Sequence, residues 1–273
     1  IIMLRRTFFS ALLLLATEAS MQAATLLNEI MLNPPGTDNY EFVEILTDAN
    51  TTITDLWLLQ IEGDSTGAGT VDSAINLSGT MTGSNGLILL TSAGYPYTPA
   101  SGTIVVQDSI FAGSTENGTI TFLLVSGFTG TVATDYDSDN DGVFDSTPYS
   151  LLLDSVGWTD GGSTDKNYTT AVLSQSSGTP DGAFRIFGDS TANSTSSWIA
   201  GDLVDGGTPS VFDVPGDLLI DETKASSNIT PGSGAALTPG SENFSGAAAP
   251  EPSRILLTLT ALCATSFRRR RRS

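Results

Sequence analysis

From residue 24 to residue 245 the chain never runs far without a turn. Short β-branched or alternating runs are cut off by clusters of Gly, Asn, Asp, Ser and Thr, and the periodicity of an amphipathic helix is hard to find. The runs 26–32, 41–46, 56–61, 87–91, 103–106, 119–125 and 154–158 read as strands, with weaker ones at 183–187 and 218–220. Twenty-eight glycines supply the turns. Some seven strands with such punctuation predict an all-β chain, folded as an Ig-like sandwich with long loops. Residues 160–245 exceed what a compact sandwich requires and read as long loops plus edge strands, with a second small domain as the alternative.

Charge and missing residue types remove whole classes of function. Eight of the 11 basic residues lie near the ends, so from Ala24 to Ala249 three basic residues face 28 acidic ones. Such a body repels phosphate backbones, which need clustered Lys and Arg, so nucleic acid is excluded as a partner. The chain has no histidine, which excludes Ser-His and Cys-His nucleophile pairs and every His-ligated zinc or haem site. The single cysteine, Cys263, can form neither an internal disulfide nor a thiolate cluster.

The 30 acidic residues leave carboxylate chemistry open. In the strand 41–46, alternation puts Glu41, Val43 and Ile45 on one face and Phe42, Glu44 and Leu46 on the other, so Glu44 is expected to be partly buried. A glycan hydrolase would need two inward carboxylates across a cleft with an aromatic platform. Of the three tryptophans, Trp57 and Trp158 read as core strand residues. An enzyme is therefore the rival reading, and a carbohydrate-binding module, marked by exposed aromatics in a row, is a third.

The opening strands carry a likeness. Leu27-Asn28-Glu29-Ile30, Asn33-Pro34-Pro35-Gly36, Glu41-Phe42-Val43-Glu44-Ile45 and Asp55-Leu56-Trp57 follow one another in a way that resembles bacterial lamin tail domains. Residues 151–158 resemble the strand that follows in such proteins. Leu237-Thr238-Pro239-Gly240-Ser241 resembles the Thr-Pro-Gly turn that closes them. The resemblance implies an Ig-like β-sandwich over residues 24–245, of a kind found on secreted and surface proteins.

The densest charge feature is Asp135-Tyr136-Asp137-Ser138-Asp139-Asn140-Asp141-Gly142-Val143-Phe144-Asp145. Alternate aspartates followed by glycine match the first half of a calcium loop. With Asp137 at position 1, Asp139 and Asp141 fall at 3 and 5, Gly142 at the sharp turn, the Val143 carbonyl at 7 and Asp145 at 9. Position 12 would be Pro148, which cannot supply a bidentate carboxylate, so this is not an EF-hand. The loop resembles a single copy of the Asp-rich calcium loops of thrombospondin type 3 repeats. Oxygen-only ligands favour Ca2+ over magnesium, in a structural role. A solvated acidic turn is the alternative, since Asp and Asn are good turn formers.

The two ends read as addresses. Arg5 and Arg6, an apolar run at 8–16 and small residues around 19–24 have the order of a secretory signal peptide, assigned to residues 1–23. At the other end, within 246–273, Pro250-Glu251-Pro252 precedes an apolar run at 255–267 and then Arg268, Arg269, Arg270, Arg271 and Arg272. This resembles the PEP-CTERM sorting signal of Gram-negative bacteria, which implies processing by a membrane enzyme of the exosortase type. The prolines exclude a regular helix upstream, and the arginines are retained on the cytoplasmic side. The 13 residues between Arg254 and Arg268 fall short of the roughly 17 to 25 that span a bilayer, so a transient, processed anchor is expected. Together these features predict an exported, non-catalytic, calcium-supported binding or structural module at the cell envelope or in the extracellular matrix. Exopolysaccharide is a candidate partner, since divalent ions can bridge an acidic body to acidic polymers.

Overall fold

The computed structural model describes residues 24–36, 38–175, 178–204, 212–226, 229 and 232–244. The expected signal peptide and sorting signal, with Pro250, Glu251, Pro252 and Arg268 to Arg272, lie outside the described residues. Among the described residues no helix is long and apolar enough to cross a membrane.

Among the described residues eleven strands form two mixed sheets. The first sheet contains β1 (Leu26–Met31), β2 (Phe42–Leu46), β5 (Leu87–Thr91), β6 (Ile104–Gln107), β10 (Gly182–Arg185) and β11 (Trp198–Gly201), in the order β11-β10-β1-β2-β5-β6. The second contains β3 (Trp57–Glu62), β4 (Val71–Asn76), β7 (Ile120–Ser126), β8 (Leu151–Trp158) and β9 (Val172–Leu173), in the order β4-β3-β7-β8-β9. Each sheet ends in one parallel pair, β5 with β6 and β8 with β9; the remaining pairs are antiparallel. Among the described residues the only helices are four single 3-10 turns.

The sheets pack face to face. Leu27, Ile30, Val43, Ile45, Ile88 and Leu90 of the first meet Leu58, Ile120, Phe122, Leu124, Val156 and Trp158 of the second in one buried core. Apolar side chains on the opposite faces are buried too. Met31, Phe42, Leu89, Phe184 and Ile199 lie on the outer face of the first sheet, under Tyr97, Leu203, Leu218, Ile220, Ala235 and Leu237. Leu59, Ile61, Leu123 and Val125 lie on the outer face of the second, under Phe128, Tyr136, Phe144, Tyr149 and Tyr168. This explains why β5 and β7 read as continuous apolar runs: strands covered on both faces have no solvent side to mark.

A β-bulge at Asn28 sets the geometry of the first strand. The register with β2 passes from Leu27↔Ile45 to Glu29↔Glu44. Leu27 and Ile30, three residues apart, thereby both reach the inter-sheet core, which strict alternation forbids. The bulge also leaves the Leu27 amide to donate across the sandwich to Asp154 Oδ2 at 2.9 Å. Asp154 pairs there with Arg185 Nη2 at 2.5 Å, so a fully buried ion pair links β8 to β10. Arg185 lies 4.9 Å over the Trp198 ring, and its Nε donates to the Leu27 carbonyl at 2.8 Å.

The described residues between 160 and 244 are woven into the same two sheets. They supply the edge strands β9 and β11, insert β10 beside β1, and cover the outer face of the first sheet. Three strands escaped the sequence reading. In β4 the buried series Val71, Ser73 and Ile75 contains a serine, β9 has only two residues, and β11 is four residues beginning at Trp198. The expected strand at 218–220 is instead the end of a 3-10 turn followed by isolated bridges, Leu203↔Ile220 and Leu219↔Ala236.

Candidate metal centre

The acidic loop lies in the β7–β8 connection, and the second sheet holds it at several points. Ala133 donates to the Val71 carbonyl, Val71 to the Thr134 carbonyl, and Tyr136 to the Gly69 carbonyl, at 2.8, 3.0 and 3.1 Å. Tyr136, Phe144 and Tyr149 pack onto the outer face of the sheet. With the aromatics turned inward, Asp139, Asp141 and Asp145 are exposed, while Asp137 is enclosed. Gly69 permits this contact, because a Cβ there would fall 2.5 Å from the Asp137 Cβ.

Asp137 organises the loop. Its Oδ1 accepts from the Asp141 amide at 3.1 Å, and its Oδ2 accepts from the Gly142 amide at 2.8 Å and the Tyr168 hydroxyl at 2.6 Å. Its own amide donates to Asp135 Oδ1 at 2.8 Å. Gly142 has φ of 92°, a left-handed conformation that glycine adopts without strain. Burial works against the Asp137 charge, but the bonds from Tyr168, Gly142 and Asp141 outweigh it and hold the carboxyl below its usual range. Asp139 goes the other way: repulsion from Asp141, then desolvation and Asp145, raises it.

Of the residues singled out by spacing, Asp137, Asp139 and Asp141 are brought together, each offering one oxygen within 4.8 Å of the others. Asp145 takes a different position, closing the loop through Oδ2, which accepts from the Ser138 amide at 2.8 Å and hydroxyl at 2.6 Å. Val143 is 66 % exposed and its amide donates to Asp141 Oδ1 at 2.8 Å. The donor set fits a hard divalent cation: it is all oxygen, its carboxylates Asp137, Asp139 and Asp141 carry more charge than one ion neutralises, and no ion pair among the described residues of the loop offsets them.

Two further carboxylate groups were not legible, because separated segments assemble them. Glu62, Asp72 and Glu116 form one, and Asp64, Asp160 and Asp165 the other. Burial, a hydrogen bond to Glu62 and repulsion from Glu62, Asp64 and Asp72 push Glu116 up to about 8, so it keeps its proton at neutral pH. Asp165 is held low, first by the Thr119 hydroxyl at 2.6 Å. Only Asp160 and Asp165, five residues apart, are close in the sequence within one group; nothing marked Glu116 as a neighbour of Glu62 and Asp72.

Glu44 is buried more deeply than alternation alone suggested, and Glu29 faces it in register. The two carboxylates receive the terminal turn: the Thr238 amide donates to Glu29 Oε1 at 2.7 Å, and the Gly240 amide to Glu44 Oε2 at 2.6 Å. Asn28 and Asn243 join them through a reciprocal amide pair at 2.9 and 3.1 Å. These glutamates lie beneath their own chain, so they are not the open carboxylate pair of a hydrolase cleft.

No protein-family model, no curated protein and no solved structure matches the chain.

Proposed function

We propose that the chain is an exported cell-envelope or extracellular-matrix protein that acts by binding or by structure, without turnover, and that a calcium ion orders its 137–145 loop. The observation that carries the reading is the convergence of Asp137, Asp139 and Asp141 on one point, above a loop already fixed to the sheet. Asp137, Asp139 and Asp141 would hold the ion, with the Val143 carbonyl and Asp145 completing the oxygen shell of the assigned site. The ion would neutralise crowded carboxylates and stiffen the loop; it has no part in bond making.

The finer fold reading is an Ig-like sandwich of the lamin tail domain kind. It is supported by the meeting of the motifs that carry the resemblance: Asn28-Glu29, Glu44 and the Thr238-Pro239-Gly240 turn hydrogen-bond to one another. The reading of export rests on the arginine-led apolar run at the start. Exosortase-type sorting rests on Pro250-Glu251-Pro252 and the terminal arginines.

Thermal unfolding of the protein in EDTA and across a calcium titration tests the metal. Extracellular modules bind calcium at about 10⁻⁴ to 10⁻³ M, so 10 mM, roughly 10 to 100 times that Kd, adds about 1–3 kcal/mol to the folded state. For a chain of this size that is about 2–4 °C in Tm per kcal/mol. A saturable rise is expected with calcium, smaller with magnesium, and lost in Asp139→Ala with Asp141→Ala. Those two are exposed, so the variant leaves the Asp137 hub in place. A flat response to calcium overturns the assignment and leaves a solvated turn.

A further inference from the structure

Beside the acidic loop an open groove of about 350 Å³ runs between the 142–144 segment, β8, residues 167–170 and Asn193. Its volume is at the small end of the range, about 300–1,000 Å³, in which pockets hold ligands. One wall is aromatic. Phe144 and Tyr168 stack with centroids 4.6 Å apart and planes 11° from parallel, and Tyr149 stands edge-on to Phe144 at 6.4 Å. All three are half-buried, so part of each ring reaches solvent.

The floor is polar and already set in place. Ser155 Oγ lies 2.7 Å from Thr169 Oγ1 and donates to Asn193 Oδ1 at 2.6 Å, and Thr170 Oγ1 donates to the Asn193 carbonyl at 3.1 Å. The Asn193 amide is held at 2.8 Å by Asp154, the carboxylate of the buried ion pair. None of the eleven described residues lining the groove carries a charge, although the surrounding body has 28 acids against three bases.

We propose that this groove binds a neutral polysaccharide. The inference rests on the calcium-supported binding module above and names the ligand class and the place where it binds. Apolar faces of sugar rings stack on aromatic rings, while ring hydroxyls exchange hydrogen bonds with hydroxyl and amide groups; this lining offers both and no counter-charge for an ionic ligand. The described lining of the groove has no cationic side chain to pair with an anionic polymer. The aspartates on one rim outnumber the charge of one bound Ca2+, so the groove itself disfavours the acidic polymers that ions could bridge elsewhere on the body. Loop and groove share Gly142, Val143 and Phe144, and the Tyr168 hydroxyl is bonded to Asp137, so an ion in the loop fixes the aromatic wall.

The test is electrophoresis of the protein in native gels cast with hydroxyethyl cellulose, laminarin, galactomannan or arabinoxylan, and with alginate and polygalacturonate as anionic controls. Gels are run in calcium and in EDTA, with Tm measured alongside. Retardation by at least one neutral polymer and by neither anionic one is expected, weakened about tenfold by Phe144→Ala through loss of one stacked ring. Because Phe144 also packs on the sheet, the exposed Thr170→Glu gives a second variant, expected to weaken retardation at unchanged Tm. No retardation by any neutral polymer, with a calcium-responsive Tm, overturns the groove and leaves the metal reading standing. Retardation unchanged in both variants also overturns the groove. Retardation that persists while calcium leaves Tm flat supports the groove and overturns the metal reading instead.

Discussion

At the scale of single residues, the buried charges matter most. Asp154 accepts from Leu27, Ser155, Asn193 and Arg185, and it is the point where the two sheets and the groove floor are joined. Burial raises its pKa and lowers that of Arg185, and their mutual attraction opposes both shifts. Asp154→Ala leaves a guanidinium buried without its partner, which costs about 3–5 kcal/mol. The expected readout is a lower urea midpoint with an unchanged slope. Replacing the pair together, as Asp154→Leu with Arg185→Met, is expected to cost less than Asp154→Ala alone; an equal or larger cost refutes the stranded-charge account. Nothing in the sequence marked this pair, since 31 positions separate its members. The aspartates of the 137–145 loop could be read at once because their spacing is local.

At the scale of elements, the terminal turn and the first hairpin form a clasp built on two carboxylates. Burial pushes Glu44 up to about 8, and burial with repulsion from Glu44 pushes Glu29 well above the ordinary range. Between the unfolded value near 4.5 and the folded value near 8, the native chain holds a proton that the unfolded chain has lost. Stability therefore falls as pH rises through that window. Glu41, raised to about 7, and Asp72, raised to about 6, add the same sign by burial. Asp137 and Asp165, held low, work oppositely and weaken the fold only in stronger acid. Tm is expected to drop by about 5 °C or more from pH 5 to pH 8. Glu44→Gln, neutral throughout, is expected to flatten that slope; parallel curves for the variant and the parent rule out Glu44 as a source. Eight of the expected strands form within a few residues of their reading. The misses share a cause: β4, β9 and β11 are held by neighbours in space and carry little signal of their own.

At the scale of the whole molecule, each sheet has two apolar faces, and long loops cover the outer ones. Ending the chain at residue 231 removes Ala235, Leu237 and the Thr238–Gly240 turn from the outer face of the first sheet, uncovering Phe42, Leu89 and Phe184. That chain is expected to bind a hydrophobic dye and to aggregate, whereas one ending at 245 keeps cooperative unfolding. Similar behaviour of the two would mean that the closing segment is dispensable. The sequence by itself determined the all-β class, most of the strands, the acidic loop with its glycine, and the exclusion of histidine and cysteine chemistry. All of these are written in composition or in spacings of a few residues, where backbone sterics and side-chain alternation act. Only the tertiary structure decided which sheet each strand joins, that Glu29 faces Glu44 beneath residues 238–240, and that Asp154 meets Arg185. It also decided that Phe144, Tyr149, Tyr168 and Asn193 share one groove. Those neighbours are chosen by strand register and by burial of both faces of each sheet, and contacts between residues tens or hundreds of positions apart leave no periodicity in the chain.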